Sequence, residues 1–123
     1  MLADDPGAVE ARLREICLAL PETGERISHG VPAFDVAGKM FAYFRHNHHG
    51  DGDTSVCVKT SGREEQELLL EMDPRLYSRP AYLWPSGWVA MSLAGEVDWA
   101  HVADRLRGSW RLAAPKRLRD LVV

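Results

Sequence analysis

The sequence predicts an α+β fold, a mostly antiparallel sheet with helices packed on one face. Three observations predict it. The stretch from His29 to His46, HGVPAFDVAGKMFAYFRH, holds two alternating apolar runs, Ala33 to Ala37 and Met40 to Arg45, around a turn at Gly38-Lys39. Period-two patterning on either side of a glycine turn is a β-hairpin signature. Apolar residues recur at helical spacing near both ends of the chain. The strand-like runs between those ends are joined by short turns, which lay each strand antiparallel beside its predecessor.

Asp5-Pro6 reads as a helix start, an N-cap acid followed by proline at the first helical position. Val9, Leu13, Ile16, Cys17 and Leu20 form one apolar face, and Pro21 ends the helix. A short strand is expected over Glu25 to His29, broken by Gly30 and Pro32. In the hairpin, Phe34 and Val36 share a face with Asp35 opposite; then Met40, Ala42 and Phe44 alternate with Phe41, Tyr43 and Arg45. His46 to Asp53, HNHHGDGD, is too polar for burial and reads as a loop. Thr54 to Thr60 is a strand with Val56 and Val58 on one face and Cys57 and Lys59 on the other. Ser61-Gly62-Arg63-Glu64 is a capping-box pattern opening a helix that buries Leu68, Leu69 and Met72. Residues 74–87 are irregular, with three prolines among Leu76, Tyr77, Tyr82 and Trp84, and are expected to pack down on the domain. Trp88 to Leu93 is the last strand. Asp98 caps a long helix through Trp99, Val102, Ala103, Leu106 and Trp110, and Pro115 starts a short basic helix, Lys116 to Leu121.

The 123 residues fit one domain, 1–123, large enough to bury a core without disulfides. No apolar run approaches the roughly 20 residues of a membrane helix. Met1 to Gly7 is acidic and lacks an apolar run, so a signal peptide is not expected. The two cysteines, Cys17 and Cys57, have no metal-type spacing and read as reduced and buried, in a cytoplasmic protein expected to be a monomer. The net charge of −3 argues against a strong nucleic-acid binder on bulk charge. The charge is uneven, however: residues 104–123 carry six basic groups against two acidic ones, and residues 1–103 carry nine against sixteen. The C-terminal segment is therefore either a basic patch or a solvated helix face.

Leu18 to Glu22 (LALPE), His29 to Phe41 (HGVPAFDVAGKMF), Tyr82 to Leu93 (YLWPSGWVAMSL) and Trp110 to Leu118 (WRLAAPKRL) together resemble the MmcQ/YjbR family of small bacterial proteins, in that family's order. Gly-x-Pro-x-Phe at Gly30 to Phe34, Gly38-Lys39, Gly87-Trp88 and Pro115-Lys116-Arg117 carry most of the resemblance. It implies a frataxin/CyaY-like arrangement, a curved antiparallel sheet with helices on one face. It also implies DNA binding through a double wing, a label that rests on fold similarity rather than on a defined chemistry.

Three functional readings follow. In the first, Lys39 at a hairpin tip, Arg45 and Lys59 on strands, and Arg111, Lys116 and Arg117 near the C-terminus neutralise DNA phosphates, while Tyr43, Tyr82 and Trp84 stack on unpaired bases. The bland counterpart is a soluble lysine at a turn and aromatics that close the core. In the second, His46, His48, His49, Asp51 and Asp53, joined by His29, hold a divalent transition metal or a small molecule; the counterpart is a polar hairpin turn. In the third, an apolar patch including Tyr43 or Trp84 docks a protein partner. Catalysis is not expected, and no cofactor is implied. Ser28, His29 and Asp35 suggest a triad, but adjacent strand residues face opposite ways, and no nucleophile elbow or phosphate loop is present. Lys59 lies on the same strand face as Cys57 and would lower its pKa if both were exposed, although burial of Cys57 is the simpler expectation.

Overall fold

The computed structural model describes residues 5–122, the side chain of His49 excepted. In chain order the elements are α1 (Pro6–Leu18), β1 (Thr23–Ser28), β2 (Val31–Val36), β3 (Lys39–His46), β4 (Thr54–Lys59), α2 (Arg63–Met72), β5 (Tyr77–Ser78), β6 (Trp88–Ser92), α3 (Trp99–Ala113) and α4 (Lys116–Arg119). Single 3₁₀ turns lie at His48–Gly50 and Trp84–Ser86. The strands form one antiparallel sheet in the order β1-β2-β3-β4-β6-β5. Among the described residues no helix is long and apolar enough to cross a membrane.

The helices cover one face of the sheet. Phe34, Val36, Phe44, Val56, Val58, Val89 and Met91 meet Leu13, Cys17, Leu69, Leu106 and Trp110 in the main core. Trp110 is wholly buried, and its indole N–H donates to the Pro21 carbonyl at 3.1 Å, which ties α3 to the chain entering β1. Both long-helix starts follow the sequence reading: Asp5 accepts from the Gly7 N–H, and Asp98 accepts from the His101 N–H.

Several local expectations are corrected. The hairpin turn is Ala37-Gly38, with both residues at positive φ (50° and 87°), so Lys39 begins β3 opposite Val36. The β1–β2 hairpin repeats this geometry at His29-Gly30 (53° and 80°), matching the twist that two-residue turns need. Beyond the turn, Phe34 pairs with Ala42 but Asp35 pairs with Met40, leaving Phe41 without a partner on β2. This β-bulge turns Phe41 into the main core beside Ala42, and Met40 joins Tyr43 on the far face, reversing the alternation expected for both.

The β3–β4 ladder runs without a shift from His46–Thr54 to Ala42–Val58 and ends there. Just past that pair Ser109 of α3 bridges the two strands: its Oγ accepts from the Lys59 N–H at 2.8 Å and donates to the Phe41 carbonyl at 2.6 Å. At α2 the N-cap is Gly62, and the reciprocal bond is made by Glu65 rather than Glu64. The Glu65 carboxylate accepts from the Ser61 N–H and hydroxyl. Leu69 is buried as expected, but Leu68 and Met72 lie exposed, and the second buried side chain of α2 is Gln66. The Gln66 amide donates to the Trp84 and Trp88 carbonyls, both at 2.8 Å, and so pins the connection expected to be irregular. That connection does pack down, and its Tyr77–Ser78 forms the edge strand β5.

Candidate nucleic-acid interface

Among the described residues, no α-helix contributes to the cluster on the second sheet face over β3, β4 and β6. Pairing in register, Arg26, Ala33, Tyr43, Cys57, Ala90 and Ser78 form one row across it. Directly opposed residues on antiparallel strands share a face, so Arg45, Ser55 and Ser92 form the next row and Lys59 and Trp88 another. The Tyr43 and Trp88 rings pack at 5.1 Å between centroids, and the Lys59 ammonium lies 5.8 Å from the Trp88 ring. Cys57, Trp88 and Ala90 form a small second core here with Met40, Tyr43 and Leu83. Burial pushes the Cys57 thiol up to about 11, against a smaller opposing pull from Arg45, so Lys59 does not activate it.

The connection between β5 and β6 raises a wall along this face. Trp84 is held between the Arg63 and Arg79 guanidiniums, 5.3 and 5.0 Å from its ring, and packs against the main core, so it is not a stacking platform. Tyr82 is 78% exposed and adopts φ 69°, a left-handed conformation that is unfavourable for a bulky residue. A cavity of about 600 Å³ lies between Tyr82 and Leu83 on that wall and Tyr43, Arg45 and His29 on the sheet side. A second, of about 390 Å³, adjoins it beyond Arg45 and His48 and is lined by Ser55, Ser78 and Arg79 among others.

The six basic residues singled out in the sequence divide between surfaces. Arg45 and Lys59, both half-buried, belong to the open face. Lys39 sits at the hairpin end, where it shares a 150 Å³ pocket with Leu112 and Arg119 of the α3–α4 corner. Arg111, Lys116 and Arg117 are exposed on the helical side. Arg117 is already paired with Glu22 through two bonds of 3.0 and 3.2 Å, and its hydrogen bonds hold the Glu22 carboxyl below the usual range. Arg26, on the open face, and Arg119, beside Lys39, were not singled out. Each is one charge in an ordinary-looking stretch, and only register or packing reveals its neighbours.

The histidine loop is organised by hydrogen bonds of its own. His46 Nδ1 meets Thr54 Oγ1 at 2.8 Å, the Asn47 side chain accepts from the Gly52 N–H, and Asp51 accepts from the Asp53 N–H. Among the described residues no three His, Cys, Asp or Glu groups gather where they could hold a metal ion; His49 lies outside the described side chains. His48 instead faces the two open-face cavities. Nor do Ser28, His29 and Asp35 assemble: Ser28 Oγ lies 3.4 Å from His29 Nδ1, while the Asp35 carboxylate accepts from the Gly38 N–H.

The YjbR family model matches residues 18–112, more than three-quarters of the chain. The chain belongs to the YjbR family. The match spans β1 through nearly all of α3, including every open-face strand, whereas Lys116 and Arg117 lie beyond it. The crystal structure of Deinococcus radiodurans protein DR2400, described by the family-model domain DUF419, is similar to this chain with a TM-score of 0.69. The two are 24% identical, and the alignment covers 89% of this chain and 83% of that one. No curated protein matches. The fold of this chain is thus shared with that solved structure.

Proposed function

We propose that this YjbR-family protein binds nucleic acid, acting by binding rather than by catalysis, and that its contact surface is the open sheet face. The observation that carries the reading is the conjunction of Tyr43, Tyr82 and Arg45 around one cavity, with Arg26 and Lys59 on the same sheet face. Aromatic rings accept any base by stacking, and interleaved cations follow the backbone, a combination suited to a single strand. Six strands spaced at about 4.8 Å give a face roughly 24 Å across, which suits the lower end of the about 4–16 nucleotides that such platforms contact. If the three cations each neutralise one phosphate, raising salt from about 50 to 200 mM weakens single-strand binding ~20-fold.

A second reading, duplex contact through the hairpin wing and C-terminal basic corner, draws support from the proximity of Lys39 to Arg119. Fluorescence anisotropy with labelled single strands and duplexes of about 12 units separates the two. The open-face reading expects tighter single-strand binding, lost in Arg26→Glu/Lys59→Glu and retained in Lys39→Glu/Arg119→Glu. The reverse pattern, with duplex preferred, supports the wing. No binding of either at low salt refutes both.

A further inference from the structure

Arg45 lies at the junction of the two open-face cavities. Its Nε is shut off from solvent without a hydrogen-bond partner, and the guanidinium makes no ion pair among the described residues. An orphaned buried donor on a cation is uncommon in native proteins, and a small turn of the Arg45 side chain would let an anion in the cavity satisfy it through a charge-assisted bond. From these observations, and resting on the open-face reading above, we propose that the paired cavities are a nucleoside monophosphate site, with the base against Tyr43 and Tyr82 and the phosphate on Arg45.

The chemistry of the two compartments differs in the sense this ligand requires. The larger is walled by Tyr43, Tyr82, Leu83 and Val31, flat or apolar groups that suit a base. The smaller presents hydroxyls from Ser55, Ser78 and Ser92, which can donate to phosphate oxygens. Charge sets the phosphate count. Arg45, Arg75 and Arg79 face Asp51 and Asp53 around the smaller compartment, a surplus of one positive charge. A single phosphate, about −1.5 to −2 at pH 7, exceeds this surplus least, and a triphosphate meets the two carboxylates with far more uncompensated charge. The strained φ of Tyr82 fits the same account, because backbone strain concentrates at ligand sites, where it fixes a side chain's direction.

Isothermal titration with AMP, adenosine, ATP and inorganic phosphate tests the site, with ¹⁵N–¹H shift mapping of AMP as an independent locator. AMP is expected to bind about tenfold or more tightly than adenosine, the effect of one charge-assisted phosphate contact. ATP should bind more weakly than AMP, and phosphate alone more weakly still. Arg45→Met, which keeps the aliphatic stem, should lower AMP affinity to that of adenosine, while Tyr82→Ala weakens both. Shifts should fall on β3 and residues 76–84 and spare α3 and α4, which holds the proposal to account even where Arg45→Met fails to fold. Equal affinities for AMP and adenosine, or shifts elsewhere, overturn it. Binding of a single-stranded oligonucleotide with none of AMP overturns this site but leaves the open-face reading standing; binding of neither removes both.

Discussion

Ser109→Ala removes one oxygen from the protein and strands two backbone groups. Ser109 is 1% exposed, and its hydroxyl bridges the Lys59 N–H to the Phe41 carbonyl at the end of the β3–β4 ladder. Leaving a buried polar group unsatisfied costs about 1–3 kcal/mol, and the two groups here share one small site, so the expected loss is about 2–4 kcal/mol. That is a large fraction of the roughly 5–15 kcal/mol by which a domain is stable. In urea, with a slope of about 1–3 kcal/mol/M, the midpoint should fall by about 1–2 M at unchanged slope. Tryptophan fluorescence follows the transition, since Trp110 is buried one residue away. Hydrogen exchange adds a local readout: the Lys59 amide should lose protection more than its β4 neighbours. A loss under about 0.5 kcal/mol with Lys59 protection intact would refute the bridging role.

Gln66→Met keeps the length of a buried side chain but removes the amide that donates to the Trp84 and Trp88 carbonyls. It should cost about 1–3 kcal/mol and speed hydrogen exchange over residues 80–88; an unchanged exchange pattern there would show that Gln66 does not hold the wall. Arg105→Met should shift acid unfolding. Burial pushes the Glu65 carboxyl up, but the Ser61 N–H and hydroxyl and the Arg105 guanidinium outweigh it and hold it below its ordinary 4.5. A folded-state value below the unfolded one contributes stability that is full above pH 4.5 and is lost as pH falls through the folded value. Without Arg105 the Glu65 value rises, so the acid midpoint should move to higher pH; a midpoint identical to wild type would contradict the pairing seen at 3.3 Å.

The amino-acid sequence by itself determined the α+β class, the β2–β3 hairpin, both long helices with their Asp5 and Asp98 caps, and the burial of Val9, Leu13, Val102, Leu106 and Trp110. These depend on periodicity and on contacts within a few residues, which a linear pattern records. Tertiary structure decided what depends on partners distant in the chain. At the bulge that inverts Phe41 and Met40, the Phe41 carbonyl is bonded by Ser109 of α3, 68 residues away. Leu68 and Met72 look like core on a helical wheel, yet Gln66 takes the buried position because two carbonyls 18 and 22 residues on need its amide. β5 is two residues long and pairs only because β6 offers an edge, so no local alternation announces it. The candidate site follows the same division. Arg45, Lys59, Tyr43 and Tyr82 stood out singly, but Arg26 joined them through strand register, and Lys116 and Arg117 fell away to the helical side. Charge and aromaticity are properties of single residues; a surface is made by the register and packing that set them side by side.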